Sequence, residues 1–365
     1  MRRPVLSFMV SAGLSAAAIA APFTVKTVAE GLDHPCGMAF LPSGEILVTE
    51  RAGRLRIVRD GKLDAAPIAG APKTHVQSQA GFFDVVLHPK FAENKFVYLV
   101  FAHGDASANA TRVSRYVFDG KALTDEKVIF TASPTKDTSN HFGGRMAFLP
   151  DGTFLLTVGD GFEYREKAQD LNSGLGKIVR LKDDGGIPAD NPFAGQTGKR
   201  PEIWSYGHRN QQGLAVDAAT GRVYEHEHGP KGGDELNLIE RGKNYGWPAI
   251  CHCVDYSGAA VTPFKELPGM EQAMVYWTPS IAPSGMTVYS GDKFPAWQGD
   301  ILMGALAFQH LRRVDLKDGK AVGQEEFKDG PLNARIRDVR TSPDGYVYVA
   351  TDEAEGKILK LEPKP

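Results

Sequence analysis

Six times along the chain an apolar strand, a turn and a second apolar strand follow one another, and this recurrence limits the fold more than any other feature. The copies are GMAFLPSGEILVTE from Gly37, FFDVVLHPKFAENKFVYLVFA from Phe82, RMAFLPDGTFLLTVGD from Arg145, GLAVDAATGRVYEHEHG from Gly213, MTVYSGDKFPAWQGDILMGAL from Met286 and VRTSPDGYVYVATDE from Val339. Each alternates apolar and polar residues with period 2 around a turn, the signature of a β-hairpin. They recur at uneven intervals of roughly 45 to 75 residues. Five are followed by another strand-like piece: GRLRIVRDG at Gly53, VSRYVFDG at Val113, GKIVRLKDDG at Gly176, LRRVDLKDG at Leu311 and GKILKLEP at Gly356. Six such units predict an all-β chain, a six-bladed β-propeller in which each blade is a small antiparallel sheet. A β-sandwich pair could use as many strands, but six homologous hairpins favour the propeller. The intervals exceed a typical blade, so long inserted loops are expected at the active-site face, the richest from about Gly161 to Trp204. The 40 Gly and 23 Pro encode too many turns for a helix bundle.

Composition narrows the function. Charged residues at 24% and hydrophobics at 42% exclude disorder along most of the chain. With 42 Lys+Arg against 44 Asp+Glu there is no basic surface for nucleic acid. Arg2 and Arg3 precede an apolar, Ala-rich run from Val5 to Ala21, and Ala18-Ile19-Ala20 fits a signal-peptidase site. Residues 1–20 are therefore expected to be a signal peptide and residues 21–365 the propeller domain. No later stretch is apolar enough to span a bilayer. The expected product is exported, into a bacterial periplasm.

Three clusters carry chemistry. His141 sits in the polar, Gly-flanked loop TSNHFGGR just before the third hairpin, and an imidazole there suits a general base. Asp160 ends the same hairpin, so folding about the Asp151-Gly152 turn brings it back beside His141, where it would fix the imidazole tautomer. The plain alternative is a loop cap and a turn residue. SYGHRNQQG, from Ser205, and EHEHGPKGGDELNLIERGKNYGWP, from Glu225, form the second cluster. His226 and His228 share one strand face, and H-x-H with two Glu raises zinc, but no third ligand is evident. The Gly-Pro-Lys-Gly-Gly-Asp loop offers backbone carbonyls and Glu235 a carboxylate, hard oxygens suited to calcium, or else solvated charges on a Gly-rich loop. The third cluster is Arg335 and Arg337. Alternate residues of a strand face the same way, so both could meet one anion; taken alone they could equally be surface residues of an edge strand.

Cys251-His252-Cys253 supplies only three metal ligands. A disulfide between residues two apart is strained, whereas Cys36 could pair with one of them if the fold brings them together. Neither a P-loop, nor a strand-bound GxGxxG, nor a GxSxG elbow occurs.

In this order the clusters resemble the soluble quinoprotein sugar dehydrogenases, the glucose/sorbosone dehydrogenase family, and within it the bacterial aldose sugar dehydrogenases. The resemblance runs from about Gly31 to Leu361. It is carried by QAGFFDVVLHPKF from Gln79, NHFGGRMAFLPDG from Asn140, AQDLNSGLGKIVRL from Ala168, DGGIPADNPF from Asp184, IWSYGHRNQQGLA from Ile203, EHGPKGGDELNLI from Glu227 and NYGWP from Asn244. It implies a six-bladed propeller using pyrroloquinoline quinone (PQQ) and calcium to oxidise aldoses at the anomeric carbon. His141 matches the base and Asp160 its partner. Gln79 and Arg209 match residues near the substrate, Arg209 also near the quinone. Asn210, Ser280, Arg335 and Arg337 match PQQ contacts, and His228 stands over the cofactor edge. The carbonyls of Gly229 and Pro230 match ligands of the calcium beside PQQ, and Glu235 and Tyr245 a second, structural calcium site. The implied reaction transfers a hydride from the sugar to PQQ, releases a lactone and passes electrons to an unidentified acceptor.

One departure matters. Ala307, in ILMGALAFQHLRRV, stands where the family usually has a Lys on the anionic side of PQQ. Its absence is expected to weaken PQQ binding unless His310, Arg312 or Lys231 compensates. Phe82 and Phe83, where Leu is common, are expected to alter only packing. The competing readings are a calcium-dependent lactone hydrolase on a six-bladed propeller and a sugar-binding propeller that has lost its quinone.

Overall fold

The computed structural model describes residues 21–364. The expected signal peptide lies outside the described residues. Six four-stranded antiparallel sheets stand around one axis as the blades of a propeller. Their innermost strands are Pro35–Phe40, Phe82–Leu87, Met146–Phe148, Gln211–Val216, Pro283–Val288 and Ile336–Thr341, blades 1 to 6 in order. All six sequence hairpins are the two inner strands of a blade, and the five extra pieces are third strands. The third strand of blade 4, Asp234–Ile239, corrects the loop reading of GGDELNL: its first residues leave the Gly-rich turn and enter the sheet at once.

The second strands are buried on both faces, as in Ile46–Glu50 and Phe154–Val158, because a blade is covered by a neighbour on each side. The core is therefore divided among the six interfaces between adjacent blades, each with its own apolar cluster. Phe23–Leu32 closes the ring. It pairs antiparallel with Gly356–Pro363 as the outer strand of blade 6, while Phe23 packs its ring 5.7 Å from Trp297 and 5.1 Å from Phe327. Closure removes the exposed edges an open sheet would present at the ends.

Strand alternation sorts the loops. Inner strands begin at one face, the same face at which second strands end and third strands start. Of the 161–204 insert, the part before Lys177–Leu181 lies at that face. The part after it returns at the other, where Arg180 bonds Asp151 and Asp190. A second insertion, residues 240–274, joins the third and fourth strands of blade 4 and climbs to the first face, where Lys231 bridges Val254.

Four charges fill the axis. Asp338 accepts from Arg340 Nε (2.9 Å), Arg145 Nη1 (3.4 Å) and the Met38 amide (2.9 Å); Asp84 accepts from Arg340 Nη2 (2.8 Å) and the Met146 amide (3.2 Å). Arg145 also donates to the carbonyls of Gln212 and Arg337. The strands come close enough for this only because small residues line them. A Cβ on Gly285 would sit 1.9 Å from Asp338 Oδ1, and one on Gly37 2.8 Å from Asp84 Oδ1.

Removing one member of a buried ion cluster strands the opposite charges, at a cost of about 3–5 kcal/mol. Asp338→Ala is expected to lose about that much in urea denaturation. A loss under about 1 kcal/mol, the level of a surface pair, would show that the axis is not held by these charges.

Candidate active site

A cleft of about 320 Å³ opens where the inner strands begin. Gln79, Asn210, His228, Arg335, Arg337 and Ala307 line it, with His141 and Arg209 at its edge through their neighbours Phe142, Gly143 and Asn210. A larger hollow, about 980 Å³, opens at the opposite mouth of the axis beyond the charge cluster, and none of the sequence-predicted site residues lines it.

His141 is buried, in left-handed backbone (φ 50°) that a non-glycine residue keeps only where surroundings enforce it. Its amide donates to Gln79 Oε1 at 2.9 Å, and its Nδ1 lies 2.7 Å from Asp160 Oδ1. A carboxylate accepts, so Nδ1 carries the proton and Nε2 keeps its lone pair. Asp160, fully buried, also accepts from the Phe162 amide on Oδ1 and from Trp247 Nε1 on Oδ2, both at 2.7 Å. Burial holds the imidazole below its ordinary value, and the Asp160 bond and charge only partly offset this. The ring is thus neutral and able to accept a proton.

Arg209 lies beside this pair. Its Nη1 donates to the carbonyls of His228 and Gly229, 2.9 Å each, and its guanidinium carbon is 5.3 Å from the centre of the Trp247 ring and 5.8 Å from that of Tyr256. Its amide donates to Glu227. His228 donates from Nε2 to the Pro283 carbonyl (2.6 Å), and burial pushes it down to about 3. Asn210 Oδ1 accepts from Gln212 at 3.2 Å. Ser280 does not line the cleft. Its hydroxyl rests on Asp234, 2.7 and 2.9 Å from the two oxygens, and Asp234 also accepts the amides of Gly229 and Ala282. Sequence reasoning missed Asp234, which ties the Gly229 turn to the start of blade 5.

Arg335 and Arg337 do converge on one anion, Asp352, through Nη2 at 3.1 and 2.6 Å, and His34 Nδ1 lies 3.0 Å from its other oxygen. The period-2 argument was sound, but the anion in reach is the chain's own carboxylate. Ala307 lines the cleft as expected. None of its three proposed substitutes does: Arg312 is bonded to Glu326 and Gln324, His310 lies 3.3 Å from Arg312 Nε, and Lys231 is exposed. Arg51, which the sequence did not single out, is a third guanidinium on the wall. Phe82 and Phe83 border the cleft but belong to the apolar clusters between blades 1 and 2 and between blades 2 and 3.

The H-x-H pair does not gather a metal. His226 points beneath Gly213, and His228 is held by Pro283. It is on the other strand face that candidate ligands converge: Glu225, Glu227 and His208 bring their ligand atoms within 4.8 Å of one another, all buried. Asn237 Nδ2 donates to both Glu225 and Glu235 at 3.2 Å, and Tyr245 stacks on His208 with ring centres 4.9 Å apart. Glu235 and Tyr245 thus border one cluster from two sides, and Glu225 and Glu227, noted in the sequence only beside the H-x-H pair, lie at its centre. Burial pushes Glu225 and Glu235 well up and Glu227 up to about 8. Cys251 and Cys253 are bonded to each other despite the close spacing, and Cys36 remains a free thiol lining the cleft, which corrects the alternative pairing.

Residues 32–360 match the glucose/sorbosone dehydrogenase family. The chain is 42% identical over 363 residues to the aldose sugar dehydrogenase YliI of Escherichia coli K12, covering 96% of each. It superposes on a crystal structure of a glucose dehydrogenase with TM-score 0.90 and 44% identity, covering 93% of this chain and all of that one. A PQQ-bound aldose sugar dehydrogenase from Streptomyces coelicolor gives TM-score 0.76 at 30% identity, covering 94% and 98%.

Burial opposes ionisation of Asp352, yet Arg337, His34 and Arg335 overcome it and hold the carboxyl well below the usual range. A group depressed on folding adds stability above its unfolded value, near 3.9, that is lost as the pH falls below it. Melting temperatures between pH 6 and pH 2.5 are expected to fall more steeply for the wild type than for Asp352→Asn. Parallel curves would mean that the pairing does not stabilise the native state.

Proposed function

Because the chain belongs to the glucose/sorbosone dehydrogenase family, we propose that it is an oxidoreductase that converts aldose sugars to lactones with PQQ and calcium. The observation that carries this reading is the convergence, at one mouth of the ring, of a neutral His141 imidazole paired with the Asp160 carboxylate and a wall of guanidinium groups. PQQ, a flat ring with three carboxylates, fits that wall: Arg51, Arg335 and Arg337 line the cleft against the single carboxylate of Asp352. When bound, PQQ supplies a two-electron oxidant and calcium a hard cation beside it.

The chain's own residues do the rest. His141 Nε2 accepts the proton of the anomeric hydroxyl, and Asp160 keeps Nδ1 protonated and stabilises the resulting imidazolium. Loss of that proton, the anomeric hydrogen and two electrons in all leaves the lactone. Gln79, held on the His141 amide, reaches the substrate side, while Arg209 and Asn210 border the cofactor side and lend positive field. A carbonyl oxygen has two lone pairs, so the Arg209 bond to Gly229 leaves one for a cation, with Pro230 beside it. The second cation site fits as well. Among the described residues Glu225, Glu227 and Glu235 have no Lys or Arg ion-pair partner, only His208 Nδ1 lying 3.3 Å from Glu227 Oε1, and Glu225 Oε1 and Asn237 Oδ1 are buried without a partner. A hard cation there would complete them.

The lactone-hydrolase reading needs carboxylates free to gather on an ion in the axis, but Asp84 and Asp338 are paired with Arg145 and Arg340. Export to a periplasm is part of the proposal. The N-terminal segment supports it, and so does the Cys251–Cys253 disulfide, which suits an oxidising compartment.

His141→Gln is expected to abolish sugar-dependent dye reduction while PQQ binding, followed by titration, is retained; normal turnover would remove His141 from the mechanism. Arg51→Gln is expected to weaken PQQ binding about ten- to a hundred-fold, as for a lost charge-assisted hydrogen bond. Ala307→Lys should then tighten it in the same titration, more strongly in the Arg51→Gln background. A midpoint unmoved by Arg51→Gln would show that Arg51 does not stand in for the missing Lys.

A further inference from the structure

We infer that Trp247 is a positioning residue that fixes the proton acceptor and the neighbouring cation through one indole. It comes from the 240–274 insertion, far in sequence from both, and it is buried. Its Nε1 is the one side-chain donor to Asp160 Oδ2 among the described residues, while Oδ1 takes His141 and the Phe162 amide. A carboxylate held on one oxygen alone can turn about its Cβ–Cγ bond. Held on both, it presents Oδ1 to the imidazole in a single orientation. The ring of the same indole lies against the Arg209 guanidinium at 5.3 Å, within reach of a cation–π contact.

The indole is itself anchored. The Trp247 amide donates to the Gly207 carbonyl at 2.9 Å, and its own carbonyl accepts from Gln169 at 2.8 Å. The side chain packs with Ala168 and Cys251 in a small cluster, next to the Cys251–Cys253 bridge. The insertion is therefore built to hold this ring still. Its role in catalysis rests on the proposed dehydrogenase reading, but its hold on Asp160 does not.

Removing the indole N–H leaves the Asp160 anion less stabilised, so it retains the Nδ1 proton more tightly and the imidazole gains proton affinity. Of the other charged or titratable groups facing His141, namely Arg209, Lys136 and His228, only Arg209 meets Trp247, and it does so through the ring face. Trp247→Phe keeps a ring under Arg209 and loses only the donor; Trp247→Leu loses both. In the protein without PQQ, NMR titration of the His141 ring is expected to show a midpoint about half a pH unit or more higher in Trp247→Phe than in the wild type. With PQQ and calcium added, Trp247→Phe is expected to lower kcat about tenfold with KM and PQQ affinity within about twofold. Trp247→Leu should in addition weaken PQQ binding several-fold. An unmoved His141 midpoint in folded Trp247→Phe would overturn the inference, as would equal PQQ affinities in the two variants. A shifted midpoint in a protein whose wild type oxidises no aldose would uphold the placement and refute the dehydrogenase reading.

Discussion

The cluster of Asp84, Arg145, Asp338 and Arg340 on the axis is the interaction on which the rest of the structure depends. Side chains or amides from blades 1, 2, 3 and 6 meet there, and Arg145 reaches the backbone of blade 4 as well. A propeller blade contacts mainly its two neighbours, so contacts across the ring are few, and a network joining five blades fixes their relative angles. The cluster also closes the axis. Above it lies the cleft and below it the larger open mouth.

That floor sets the cleft's geometry. Arg337 accepts Arg145 through its carbonyl and sends its own guanidinium upward to Asp352, so a single residue carries the axis network into the wall of the cleft. Phe142, Gly143, Gly144 and Arg145 follow His141 directly, which places the imidazole one short loop above the cluster. The left-handed residues His34, His141 and Ala282 each stand at or near the start of an inner strand at this face, and Phe162 joins them across from His141. Backbone strain of this kind persists only where packing enforces it.

The sequence made the inner hairpins legible because they sit between blades, where burial on both faces demands apolar residues and the turns demand Gly, Asp or Ser. Outer strands escaped notice for the opposite reason. Lys320–Phe327 and Leu123–Thr131 are edge strands with largely exposed side chains, and the closing strand Phe23–Leu32 pairs with residues more than 300 positions away. The His141–Asp160 pair was readable from local hairpin geometry and Arg335 with Arg337 from strand alternation. Asp352, Arg51 and Trp247 were not, since each reaches this face by the path of a loop, and loop paths follow no period; Asp234 opens a strand, but its partners Ser280 and Ala282 come from the next blade. Glu225 and Glu227 were visible as neighbours of the H-x-H pair, but the alternation that put the histidines on one face puts the acids on the other, and it is the acids that converge.

The cleft's electrostatics follow from this division. Positive groups gather on the wall built by blades 1 and 6, and the base stands at the edge built by blades 2 and 3 with its charge suppressed by burial. An anionic ligand would thereby be drawn to one side of the cleft, away from the histidine on the other. Were His141 exposed, its imidazole would be hydrated and its protonation would follow the solvent pH. Buried beside Asp160, it is held neutral, and a proton taken up on Nε2 would meet a carboxylate already in place on the other side of the ring.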